Sequence, residues 1–143
     1  MKRFISTLLI CASCFVESAN ATNFWHSGTI QDGEGICIAI FSFDGWTLYP
    51  GDLQVGISAI DKAGKEVASG VLIIKDIDKK THPFVATYPS ASFAKETLCD
   101  DNLTFVVTQA SAITTNGTWD ALGWLNIITF KPSKIRIAKP HTD

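Results

Sequence analysis

Charge of either sign is scarce in this chain, and so are the residue types on which catalytic and metal sites are usually built. Its 143 residues include 12 basic and 14 acidic side chains, a formal charge of −2. With no cationic surplus to neutralise phosphates, nucleic acid is set aside as a partner. Histidine occurs three times and cysteine four times. No glycine-rich phosphate loop, metalloprotease helix or paired short cysteine spacing is present, so no cofactor or metal is expected. Beyond the first segment no apolar run approaches the roughly 20 residues of a helical membrane span. What remains is a composition 46% hydrophobic and 18% charged, that of an ordinary globular chain of single-domain length.

The first 21 residues read as a secretory leader. Lys2 and Arg3 supply the charged start, Phe4 to Val16 the apolar middle and Ala19-Asn20-Ala21 a small-x-small cleavage site. The expected organisation is a signal peptide over 1–21 and one domain over 22–143, secreted or periplasmic. A rival reading makes Cys14 a lipid-bearing cysteine, although Cys11 stands where such leaders usually carry leucine. Processing leaves 10 basic and 13 acidic residues, a charge of −3. It also leaves only Cys37 and Cys99, which in an oxidising compartment form a disulfide more often than two buried thiols. Closing a loop of 62 residues is worth about 4 kcal/mol in the chain-entropy account.

The dominant period along the mature chain is two. Leu53, Val55, Ile57 and Ala59 alternate with Gln54, Gly56 and Ser58, while Leu103, Phe105 and Val107 alternate with Thr104, Val106 and Thr108. Strands are expected near 24–31, 35–44, 52–61, 66–77, 83–88, 103–113, 123–131 and 134–138. Turn signals separate them, with Asp61 to Lys65 the clearest hairpin. Ser90 to Thr97 is the one place where a short helical turn could form, because Ala91, Phe93 and Ala94 lack strand alternation. About eight short strands at this spacing predict an all-β, antiparallel β-sandwich of immunoglobulin-like or fibronectin type III-like form.

One strand is apolar on both faces. Ile36, Ile38 and Ile40 share one side; Cys37, Ala39, Phe41 and Phe43 share the other. If Cys37 faces the core, the isoleucines face outward, and leaving them in water forgoes about 1.5–3 kcal/mol each. A cover is therefore expected, either a segment of the same chain or a homodimer or ligand interface. Tryptophans offer a second kind of anchor, since one rigid ring buries much area and keeps an N–H donor. Trp119 is read as an exposed anchor or a loop plug; Trp46 and Trp124 are read as core. Ile36, Ile38, Ile40 and Trp119 are the candidate interface.

Chemistry is harder to find. His82 and His141 read as turn or tail residues, and His26, beside Trp25, has no serine or cysteine signature to make a triad. Asp76, Asp78 and the run Asp100-Asp101-Asn102 are read as strand-end turns, with weak calcium ligation the alternative. Asn102-Leu103-Thr104 and Asn116-Gly117-Thr118 match the glycosylation acceptor pattern of eukaryotic secretion, from which the short, bacterial-looking leader points away.

The leader, the single wide pair Cys37 and Cys99, and strands such as Gly35-Ile36-Cys37-Ile38-Ala39-Ile40 and Asp52-Leu53-Gln54-Val55-Gly56-Ile57 make the span 22–143 similar to the IrmA family. These are small exported bacterial proteins with a fibronectin III-like fold that mimic interleukin receptors. The resemblance implies a domain-swapped homodimer that binds host cytokines as a virulence factor, and it transfers no binding residue. The expectation is a non-enzymatic module that works by protein–protein contact with a host cytokine or an envelope protein. The alternatives are a periplasmic inhibitor or toxin-immunity protein and, third, a fimbrial subunit.

Overall fold

The computed structural model describes residues 22–44, 51–75, 90–129 and 136–140. The leader, Trp46, Asp76, Asp78, His82, His141 and the strand expected at 83–88 lie outside the described residues. Within them the chain forms β1 (Thr22–Gln31), β2 (Cys37–Asp44), β3 (Asp52–Ile60), β4 (Glu66–Ile74), β5 (Ser90–Lys95), β6 (Thr104–Thr114), β7 (Gly117–Asp120), β8 (Leu125–Ile127) and β9 (Arg136–Ala138). One sheet has the order β5-β2-β1-β8; the other has the order β4-β3-β6-β7, with β9 also paired to β6. Both are mixed: β1 with β8 and β6 with β9 pair in parallel, and the other pairings are antiparallel.

Alternation places the core. From the first sheet Phe24, Phe41 and Phe43 are buried, and from the second Val55, Ile57, Leu72, Ile74, Phe105 and Val107. Phe41 is the central contact, stacked on Phe24 at 5.4 Å and meeting Phe105 edge-on at 5.0 Å between ring centroids. Such aromatic pairs add to the hydrophobic gain of burial and fix the sheets face to face.

Two hairpin loops repeat one chemical solution. Asp32 Oδ1 accepts from the backbone N–H groups of Glu34 and Ile36, both at 2.9 Å. Asp61 Oδ1 accepts from those of Ala63 at 2.8 Å and Lys65 at 2.9 Å. In each loop a glycine three residues after the aspartate takes the left-handed region, Gly35 at φ 86° and Gly64 at φ 81°, which other residues adopt only at a cost.

Segment 90–97 differs from the helical-turn expectation. Ser90–Lys95 is a strand paired to β2, followed by one 3-10 turn over Glu96–Cys99. Small residues carry no pattern of their own, and the open edge of β2 supplies the hydrogen-bond partners that decide the conformation. The 3-10 turn brings Cys99 to Cys37, with their Cα atoms 5.2 Å apart in the disulfide. Ile60 pairs with Thr104, and Cys99 is bonded to Cys37 with its sulfur 3.6 Å from the Gly35 carbonyl oxygen, so the loops at 32–36, 61–65 and 100–103 gather at the same end of the sandwich.

Candidate functional site

A β-bulge in β1 decides what the outer face of the first sheet displays. Register with β2 shifts between His26 and Gly28, so Ser27 is the extra residue. Such an insertion reverses which side of the strand each later residue faces. Before it Phe24 points into the core; after it Gly28 and Ile30 sit opposite Ile40 and Ile38. On the far side of β2, Ile38 lies opposite Ala94 and Ile40 opposite Ser92. The result is a stripe of Ile30, Ile38 and Ile40, in which the register neighbours of Ile38 and Ile40 carry no charge, extended by Ile36 beside Asp32 at the loop end.

This outward direction of Ile36, Ile38 and Ile40 matches the alternation of β2, since Cys37, Ala39, Phe41 and Phe43 are all buried. The three isoleucines are half-buried rather than bare, because neighbouring strands screen their flanks. Ile30 is the most open member of the stripe, at 54% exposure. The sequence pattern of β1 alone did not place it there, since without the bulge its position would face inward. Beside Ile40, a Cβ added to Gly28 would meet nothing within 4 Å, so the stripe borders open ground.

Trp119 is not part of this face. It lies in β7, opposite Ala112 in the second sheet, and is 49% exposed. Trp124 is partly buried against the core. A second apolar patch went unread in the sequence: Val71 and Ile73 of β4 are 50% and 47% exposed while Leu72 and Ile74 are buried. Its signal was the unbroken run Val71 to Ile74, which gives one strand two apolar faces.

Just before the bulge, and two residues after Phe24 on the same side of the strand, His26 sets a part-buried polar ring against the core. His26 meets Phe41 at 5.4 Å and Phe105 at 5.5 Å between ring centroids, and its Nε2 pairs with Thr29 Oγ1 at 3.0 Å. Its buried Nδ1 has no hydrogen-bond partner. Burial pushes its pKa below the ordinary histidine value, opposed by the backbone of Gly28. Among the described residues the surroundings of the ring are thus the Thr29 hydroxyl and the Phe41 and Phe105 rings. On the other side of the strand the hydroxyls of Ser27 and Ser42 bond to each other.

The Asp100-Asp101-Asn102 run is a turn: Asp100 Oδ1 accepts from the backbone N–H of Asn102 at 2.8 Å and from its Nδ2 at 3.1 Å. Among the described residues no three His, Cys, Asp or Glu side chains converge to hold a metal, and no helix is long and apolar enough to cross a membrane.

Comparison with known proteins adds three findings. The family model of IrmA, interleukin receptor mimic protein A, matches residues 22–124. The solved structure of IrmA from Escherichia coli is similar at 16% identity, with a TM-score of 0.62, covering 80% of this chain and 96% of that one; at that identity the likeness is one of fold. No curated protein matches the sequence.

Proposed function

The chain belongs to the family of interleukin receptor mimic protein A, and on that premise we propose that it is an exported, non-enzymatic binding module whose partner is a protein. The observation that carries this reading is the uncharged stripe of Ile30, Ile36, Ile38 and Ile40 on the outer face of β1 and β2. Apolar residues gathered on a rigid sheet suit protein recognition, because burying them on contact recovers the hydrophobic gain forgone in water. The specific form proposed is a homodimer that binds a host cytokine, with Trp119 a separate anchor in the second sheet. Export rests on the leader and on the two cysteines, and the family match beginning at Thr22 agrees with cleavage after Ala21.

The test is the solution mass of oxidised residues 22–143 over a dilution series, together with binding of the purified protein to immobilised interleukins. Ile38→Lys should weaken the interaction by about 2 kcal/mol, roughly thirtyfold in Kd, with little change in melting temperature. A monomer that binds no interleukin and instead captures a defined hydrolase of the producing cell's envelope would replace this reading with an inhibitor role. Turnover of any substrate by the purified chain would end it.

A further inference from the structure

Two Asn-x-Thr sequences lie on exposed turns, and they differ in one respect that matters chemically. Asn116 follows Thr114 and Thr115, whereas Asn102 is preceded two residues earlier by a carboxylate, Asp100. Neither has proline at the middle position, so both fit the general acceptor pattern. A carboxylate at the position two before the asparagine is the added feature by which oligosaccharyltransferases of bacterial envelopes select their acceptors. It gives the transferase an anion to pair with beside the reacting amide.

We propose that Asn102, and not Asn116, is a site of N-linked glycan attachment by an envelope oligosaccharyltransferase of this acid-requiring class. The inference rests on the export reading, since such transfer takes place outside the cytoplasmic membrane. The co-substrate is an oligosaccharide linked through pyrophosphate to a polyisoprenoid. Nδ2 of Asn102 forms a bond to the anomeric carbon, the bond from that carbon to the pyrophosphate oxygen breaks, and the lipid pyrophosphate leaves with the electron pair. One amide proton passes to a base on the transferase.

The structure also dictates when transfer occurs. In the folded chain Asp100 is folded back on its own asparagine, accepting from both its backbone and side-chain N–H groups. The next residue, Leu103, is 2% exposed in the core, and Thr104 opens β6. Cys99, just before the turn, is fixed to Cys37. The side chain of Asn102 is exposed, but the segment the transferase must draw out is pinned at both ends. Transfer therefore precedes core formation and disulfide closure, and occupancy rises when closure is prevented. The attached glycan then stands at the end of the sandwich where the loops 32–36 and 61–65 gather, the end at which Ile36 closes the isoleucine stripe.

The experiment expresses the full chain in bacteria carrying an acid-requiring oligosaccharyltransferase and its lipid-linked oligosaccharide, with intact-mass analysis of the product. One glycan increment is expected on the parent chain, kept in Asn116→Gln and in Asp100→Glu, and lost in Asn102→Gln and in Asp100→Ala. Cys37→Ser/Cys99→Ser should raise the modified fraction. In parallel, purified residues 22–143, oxidised and reduced, are incubated with the transferase and the lipid-linked oligosaccharide. An unmodified reduced chain there, or an increment that survives Asn102→Gln, overturns the proposal. Failure of the export reading has a different signature: residues 1–21 remain in the cellular mass, while the purified reaction still reports on Asn102.

Discussion

The environment of His26 fixes the sign of its response to acid. Burial lowers its folded-state pKa below the ordinary value of 6.5, so the unfolded chain binds the proton first as pH falls. The contribution of this residue is at full strength above about pH 6.5 and drains away as pH drops from there toward the folded pKa. Urea midpoints of the parent should therefore fall between pH 7 and pH 5 more steeply than those of His26→Phe, which has no proton to take up. Parallel curves for the two would contradict the buried placement. Gly56 is a second sensitive position. An added Cβ would lie 2.7 Å from Gln109 Cγ and 2.7 Å from Thr108 Oγ1, the residues at the bulge of β6. Gly56→Ala should cost about 1–3 kcal/mol by thermal denaturation, as overpacking does. Gly28→Ala, which meets open space, should stay within about 0.5 kcal/mol.

At the scale of elements, what could be read in advance was whatever a side chain dictates locally. The Asp-x-x-Gly loops announce themselves because aspartate bonds to nearby backbone and glycine accepts a positive φ; Asp61→Ala should remove both bonds to Oδ1 and cost about 1 kcal/mol in urea unfolding. The two-sided pattern of β2 was equally legible, since a period of two assigns Cys37, Ala39, Phe41 and Phe43 to one face without reference to any partner. Strand β5 was not, because Ser90-Ala91-Ser92 has no preference strong enough to oppose the edge it joins. Bulges are the other blind spot. They depend on how two strands meet, so the outward turn of Ile30 does not follow from β1 alone, whereas the inward side of His26 follows from its spacing of two from Phe24. The candidate face was thus half visible: its β2 residues by alternation, its β1 residue only once the register was known.

The described residues are held by a small aromatic core and, between distant parts of the chain, the Cys37–Cys99 disulfide. Phe41→Ala should cost about 3–5 kcal/mol, in line with other large-to-small changes at full burial. Replacing both Cys37 and Cys99 by alanine should cost about 4 kcal/mol in urea unfolding, the chain-entropy value for a bridge spanning 62 residues. A loss near zero would mean that the unfolded state is already restrained without the bridge. The sheet order carries one more consequence, which concerns time. As the chain emerges from its first residue onward, the β1–β2 and β3–β4 hairpins can close from local sequence as soon as they are free. Neither can complete its sheet: β2 waits for β5, β3 waits for β6, and the parallel partners β8 and β9 arrive last of all. Contacts that span so much sequence must overcome loop-closure entropy before they contribute. There is thus an interval in which neither hairpin has its sheet partners, and an isolated hairpin is only marginally stable in water. That interval ends only when the last third of the polypeptide has appeared.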